Sequence, residues 1–216
     1  MPTEPHAVTS NVGAPTLAAG VAPTRIDLEL VADLVPEGVR VLDLGCGDGA
    51  LLRLLVDRKH VVARGVEISE EGVRQCIAKG LTVSHADLDE GLGDYPDGAF
   101  DYVILSQTLQ TVHKPDLVLK EMLRVGRVGI VSFPNFGYWR VGLQLLTTGR
   151  MPKNDYLPYE WYDTPNIHLL TVADFHTFCA GQGVSISRAL YLNDGRRIEL
   201  WPNLRAKIAI FEIHNR

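Results

Sequence analysis

From Arg25 onward, short β-rich runs alternate with segments of helical period. In RIDLELVADLVPEG, the spacing of Ile26, Leu30 and Leu34 predicts one apolar helix face, and Pro36 with Gly38 ends the helix. VRVLDLG (39–45) reads as a buried strand, DGALLRLLVDRK (48–59) as a helix and VVARGVEIS (61–69) as a second strand. Ser69 suits the cap of a helix carrying Val73 and Ile77, with Glu70 and Glu71 in the first turn, where the helix dipole favours negative charge. LTVSHAD (81–87) and FDYVILS (100–106) are the third and fourth strands. Pro115 fits the first turn of a helix through Leu119 and Met122, and RVGIVSFPN (127–135) is the fifth strand. Strands separated by helices predict right-handed crossovers and a mainly parallel sheet, an α/β fold.

The chain beyond 135 reads as irregular until Thr171 and Asp174, which stand at capping-box spacing before a helix with Phe175 and Phe178 and a stop at Gly183. VSISRALYL (184–192) and LRAKIAIFEI (204–213) follow without a helix between them, separated by N-D-G at 193–195 and by Pro202. That arrangement predicts a hairpin-like pair and a terminal antiparallel strand.

Composition narrows the function. With 216 residues, 46% of them hydrophobic, the chain suits one domain with a sizeable core. Residues 1–24 hold four prolines, no Lys or Arg and no apolar periodicity. They are expected to be a disordered tail, leaving 25–216 as the domain. No basic, apolar leader is present and no apolar run approaches the ~20 residues of a membrane span, so a cytoplasmic protein without membrane contact is expected. The net charge of −5 and the lack of basic runs argue against nucleic acid as the main partner. Cys46, Cys76 and Cys179 form no C-x-x-C pair and the seven histidines are scattered, so neither a disulfide framework nor a metal site is predicted.

The informative motif is V-L-D-L-G-C-G-D-G at 41–49, which joins the first strand directly to a helix. Gly45, Gly47 and Gly49 permit tight geometry and close approach, and this edge of an open α/β sheet is the expected ligand crevice. The spacing is G-x-G-x-G, not G-x-G-x-x-G; Asp43 precedes the first glycine by two residues and Asp48 lies inside the turn. These carboxylates would repel a pyrophosphate and attract a ligand bearing an ammonium and a sulfonium, which favours S-adenosylmethionine over NAD. Glu67 ends the second strand 22 residues after Gly45, a position suited to accepting ribose hydroxyl hydrogen bonds. Asp87 ends the third strand, within reach of an adenine amino group, and Ser106 ends the fourth, where the methionine part would lie. Cys46 belongs to the same turn as a lining residue and is given no nucleophilic role.

Over residues 25–213 the chain resembles the class I S-adenosylmethionine-dependent methyltransferases and, more narrowly, the MetW family of methionine-biosynthesis proteins. The narrower likeness is carried by RIDLELVADLVPEGVRVLDLGCGDG, GVEIS, ADLDEGL, FDYVILSQTLQ and VSFPNFGYWRVGLQLLTTGRMP. It implies a Rossmann-like, three-layer α/β/α fold on a seven-stranded sheet. It also implies cofactor contacts at Asp43, Gly45, Gly47, Glu67, Asp87 and Ser106, with Ile68 and Leu88 flanking the adenine. The family is associated with MetX, the homoserine O-acyltransferase, so the resemblance implies a protein that supports or activates that enzyme. The alternative is a methyltransferase acting on a small molecule. No catalytic residue is identified: S-Q-T-L-Q-T-V-H after the fourth strand lacks the (D/N)-P-P-(Y/F) motif of amino-group methyltransferases, and only His113 there offers a base.

The last signal is compositional. Eight of the chain's 16 aromatic residues fall within 133–162, interrupted by Pro134, Pro152 and Pro158 and accompanied by Arg140 and Arg150. An insertion over 133–170 is expected to act as a lid over the crevice, a partner surface, or both.

Overall fold

The structure, a computed structural model, describes residues 26–216; the tail expected over 1–24 lies outside the described residues. Its strands are β1 (Arg40–Leu44), β2 (Val62–Glu67), β3 (Val83–His85), β4 (Phe100–Ser106), β5 (Gly126–Pro134), β6 (Val184–Asn193), β7 (Arg196–Arg197) and β8 (Ile208–Asn215). They form one sheet in the order β3-β2-β1-β4-β5-β8-β6-β7. The first five are mutually parallel, while β8 runs antiparallel to both β5 and β6. The antiparallel strand is thus last in sequence but internal in the sheet.

Burial on both faces explains why these strands read as continuous apolar runs. Leu42, Leu44, Val103, Leu105, Val131, Phe133 and Phe211 pack to one side with helices α4 (Pro115–Val125) and α6 (Val172–Gly181). Their alternates Val41, Ile104, Ile130 and Ile210 pack to the other with α1 (Ile26–Leu34) and α2 (Ala50–Lys59). Helix α3 (Glu70–Ala78) adds Cys76 to a small cluster with Cys46 and Leu52. The layers are therefore α/β/α.

Three local expectations need correction. Helix α1 buries Leu28, Val31, Ala32 and Leu34, and Ile26 is exposed; α3 buries Gly72 and Cys76, and Ile77 is exposed. Both helices meet the sheet about one residue round from the predicted stripe. Second, the stretch after β5 is not irregular throughout, because α5 spans Trp139–Thr148 and ends at Gly149 in the left-handed region. Third, an eighth strand accompanies the seven expected: N-D-G does not simply separate two long strands. Asp194 (φ 47) and Gly195 (φ 75) close a two-residue turn that folds β7 onto β6, as a type I′ hairpin requires. The capping box predicted for α6 is present, Thr171 and Asp174 bonding reciprocally.

One exposed pair ties the amino ends of β1 and β4. Asp101 accepts from Arg40 Nη2 at 2.9 Å, Nε at 3.1 Å and the backbone N at 3.0 Å. These hydrogen bonds hold its carboxyl down at about 2. A depressed carboxyl stabilises the fold above the unfolded carboxyl range, and the contribution is lost as pH falls towards 2. Asp101→Asn is expected to lower stability at pH 7 by about 1 kcal/mol, the screened value for an exposed pair, and by clearly less at pH 2, where the carboxyl is about half protonated. Denaturant unfolding at both pH values checks this.

Candidate functional site

The sheet order reverses between β1 and β4, and ligands in open α/β sheets bind outside the strand carboxyl ends at such a point. Here the glycine turn is held by main-chain bonds. Gly45 N and Cys46 N both donate to Val66 O, at 2.8 and 3.1 Å, and Gly49 N donates to Cys46 O at 2.9 Å. Gly45 (φ 71), Gly47 (φ 56) and Gly49 (φ 76) all take the left-handed conformation that glycine adopts without penalty. A Cβ on Gly45 would also lie 2.5 Å from Thr108 Cγ2.

Glu67 organises this edge. It is 8% exposed; its Oε2 accepts from Gly47 N at 2.7 Å and its Oε1 from Ser69 N at 2.8 Å. One carboxylate thereby joins the glycine turn to the start of α3, which Ser69 caps through Gly72 N. Each oxygen retains lone-pair capacity for a further donor.

A crevice of about 310 Å³ opens beside it, bringing together Gly45, Glu67, Ile68, Asp87 and Leu88 of the predicted set. Asp87 Oδ1 accepts from Asp89 N at 2.8 Å, ordering the 3-10 turn Leu88–Glu90. Leu88 is buried while Ile68 is 61% exposed, an apolar side chain at the rim. The other four predicted residues do not line this crevice. Asp43 is buried in β1, 2% exposed. Gly47 presents its N–H to Glu67, and Ser106 Oγ pairs with Ser132 Oγ at 3.1 Å.

Cys46 lies behind the turn, its Sγ 3.8 Å from that of Cys76. Both are free thiols, held above their usual range mainly by burial. A thiolate nucleophile is therefore disfavoured at Cys46. The carboxylate of Asp48 in the turn is offset by Lys79, whose Nζ lies 2.8 Å from Asp48 Oδ2. Negative charge at the crevice comes from Glu67, Asp87 and Asp89.

Sequence reasoning missed Asp89, Thr108, Thr111 and Val112, which complete the walls. Asp89 accepts from His113 N at 2.9 Å and Lys114 N at 2.7 Å, stitching the loop after β3 to the start of α4. Thr108 and Thr111 follow β4, and only the fold brings them to the same crevice as Gly45 and Glu67. His113 also reaches this wall and is exposed.

The aromatic segment divides. Tyr138, Val141 and Leu157 form a buried satellite cluster with Phe136 and Tyr156. Trp139, Trp161 and Tyr162 are exposed. Among the described residues, no helix is long and apolar enough to cross a membrane, and no group of three or more His, Cys, Asp or Glu is arranged to hold a metal ion.

Comparison with known proteins adds the family. The family model described as "Methionine biosynthesis protein MetW" matches residues 25–213. A protein of Rhodopirellula baltica, named bifunctional methionine biosynthesis protein MetXA/MetW, is 38% identical over 203 residues, covering 88% of this chain and 33% of its own length. Ajmaline N-methyltransferase of Rauvolfia serpentina is 31% identical over 97 residues, covering 41% of this chain and 33% of its own. The chain thus spans about a third of the length of these curated relatives. In structure, it is similar to an S-adenosylmethionine-dependent methyltransferase of Mesorhizobium loti, with TM-score 0.65, 20% identity and coverage of 88% and 98% of the two chains. That likeness speaks for the fold, a class I methyltransferase fold. The family match over nearly all the described residues goes further, and on it the chain belongs to the MetW family of methionine biosynthesis proteins.

Proposed function

We propose that this chain binds S-adenosylmethionine or S-adenosylhomocysteine in the crevice and acts as a partner that supports the homoserine O-acyltransferase MetX. The convergence of Gly45, Glu67 and Asp87 on one cavity at the sheet's switch point carries the cofactor part. The residues fit the group. The glycine turn allows close approach, and Glu67 has acceptor capacity for ribose hydroxyls. Asp87 is placed for an amino group, and Ile68 and Leu88 offer apolar surface to a base. The cationic ligand suits a crevice whose carboxylates exceed its cations.

The partner part draws on the relative whose name joins MetXA and MetW in one protein and on α5. Trp139, Leu143 and Leu146 recur at i, i+4 and i+7 on this helix and are 47%, 46% and 84% exposed. Arg140 lies over the Trp139 ring at 5.4 Å. Such a stripe is the anchor pattern by which a helix enters an apolar groove, and Trp with Arg is the usual composition of an interface centre. The insertion 133–170 is accordingly read as the acyltransferase-binding element of a cytoplasmic protein.

Mixing the purified proteins should give co-elution and a changed acyltransferase rate. Leu146→Asp is expected to weaken co-elution at least tenfold while leaving the melting temperature within about 1 °C, since an exposed site changes stability little. Equal co-elution of this variant and the parent would remove α5 from the interface.

Methyl transfer to a small molecule is the second reading. The specific observation behind it is His113 on the crevice wall, and incubation with methyl-labelled cofactor and cell metabolites tests it.

A further inference from the structure

The protein holds three tryptophans, and all of them face solvent: Trp139, Trp161 and Trp201 are 47%, 72% and 75% exposed. Tryptophan is ordinarily well buried, so an exposed one needs a reason. At Trp201 the local structure supplies none. The residue precedes the short helix α7 (Pro202–Arg205) and holds a left-handed backbone, φ 52 and ψ 54, which glycine adopts freely and a bulky residue rarely does. Its carbonyl accepts from Leu204 N and Arg205 N, both at 3.0 Å, bonds that any residue type would make there. The indole is thus needed neither by the turn nor by the core. Leu200 and Leu204 beside it are 69% and 51% exposed.

Charge surrounds this apolar tip. Arg196 and Arg197 of β7 and Arg205 of α7 are exposed, and none of the three forms an ion pair or side-chain hydrogen bond among the described residues. Asp194 is taken by Lys207 Nζ at 2.6 Å, which leaves Glu199 alone against the three arginines. The tip is also continuous with helix α5. Asn135, fully buried, donates through Nδ2 to Asn203 O at 2.9 Å and to Ala206 O at 2.8 Å, and its Oδ1 accepts from Gly137 N at 3.0 Å. A Cβ on Gly137 would lie 2.9 Å from Asn203 O. One buried amide therefore clamps α7 against the chain entering α5, with Leu204 one residue and Trp139 two residues from the contact.

We propose that residues 196–205 and the exposed stripe of α5 form one composite docking surface for the acyltransferase, and that the partner meets residues 196–205 with an apolar groove rimmed by carboxylates. Trp201 and Leu204 enter the groove, and the guanidiniums, planar forks matched to carboxylates, pair with its rim. The aliphatic side chains of Leu200 and Leu204 suit a protein groove and offer no ring on which nucleic-acid bases stack. The inference rests on the partner reading above and adds an element outside the 133–170 insertion, together with the chemistry of the surface it meets.

The test uses the full chain labelled with 5-fluorotryptophan and the unlabelled, purified acyltransferase. Three fluorine resonances sensitive to exchange of H2O for D2O are expected in the free protein, one of them assigned by Trp201→Gly. On addition of the acyltransferase, the Trp201 resonance should lose that sensitivity. By calorimetry, Trp201→Gly combined with Leu204→Ser should weaken the complex at least tenfold. Arg196→Glu combined with Arg197→Glu should do the same at low salt and clearly less at about 1 M salt, where exposed charges are screened within about 3 Å. Trp201→Gly should leave the melting temperature unchanged or raised, since glycine accepts the left-handed backbone; a tryptophan kept for structure would lower it. An unmoved Trp201 resonance, with these variants binding as the parent does, would overturn the inference, and weakening by Leu146→Asp alone would then leave the partner reading standing. Movement of the Trp201 resonance by a single-stranded oligonucleotide or by phosphatidylglycerol vesicles, and not by the acyltransferase, would also overturn it. If the parent chain binds no acyltransferase, the partner reading falls and this occupant falls with it.

Discussion

Gly45→Ala is expected to abolish cofactor binding and to destabilise the fold by about 3 kcal/mol, lowering the melting temperature by about 10 °C for a domain of this size. Two effects add. Gly45 sits at φ 71, where an L-residue with a Cβ costs about 1–2 kcal/mol. Its Cβ would then lie 2.5 Å from Thr108 Cγ2 and 2.7 Å from Thr108 Oγ1, so the segment after β4 must move away from β1. Gly38 separates the two terms, because it has nearly the same φ, 70, and nothing within 4 Å of its Cβ position. Gly38→Ala should show the conformational cost alone and leave cofactor affinity unchanged. Thr108→Ala in the Gly45→Ala background should recover part of the stability; simple additivity of the two changes would show that contact to be unimportant.

Glu67→Ala is expected to cost about 3 kcal/mol in stability and at least tenfold in cofactor affinity. The carboxylate is 8% exposed and accepts one main-chain N–H from the glycine turn and one from the start of α3. Hydrogen bonds to a charged group are worth about 1.5–3 kcal/mol each, and both bonds here are part-buried. The coupling of turn and helix raises the effect above that of a rim charge. Glu67→Gln retains one acceptor atom and presents an amide NH₂ to the other N–H, so its loss should be intermediate. Chemical denaturation and nucleoside titration of the same variants measure both quantities; a Glu67→Ala protein as stable as the parent would deny the carboxylate its structural part.

Legibility from the sequence followed the range of the interaction. The glycine turn, the Ser69 cap and the Thr171–Asp174 box are set by neighbours in the chain, and the strands by continuous apolar runs buried on two faces. The rotation of α1 was not legible, since Ile26, Leu28, Leu30 and Val31 offer overlapping apolar stripes and only the sheet selects one. Helix α5 carries no local start signal, because its N-cap, Tyr138, makes no side-chain cap bond and its main apolar stripe faces outward. Within the site, Glu67 and Asp87 were readable as strand-end carboxylates. Thr108 against Gly45, Cys46 against Cys76 and Lys79 against Asp48 join positions about 30 or more residues apart, and no local signal encodes them. The burial of Gln110 and the missing partners of Gln107 Nε2 and Gln110 Oε1 among the described residues likewise exist only in the fold.

The most direct test of the account is calorimetric titration of the chain with S-adenosylhomocysteine, alongside thermal melting. A single saturable site is expected, with a raised melting temperature and with affinity reduced in Asp87→Ala by about 1–2 kcal/mol for a lost hydrogen bond. Absence of both heat and thermal shift in the parent protein would contradict the crevice as a cofactor site.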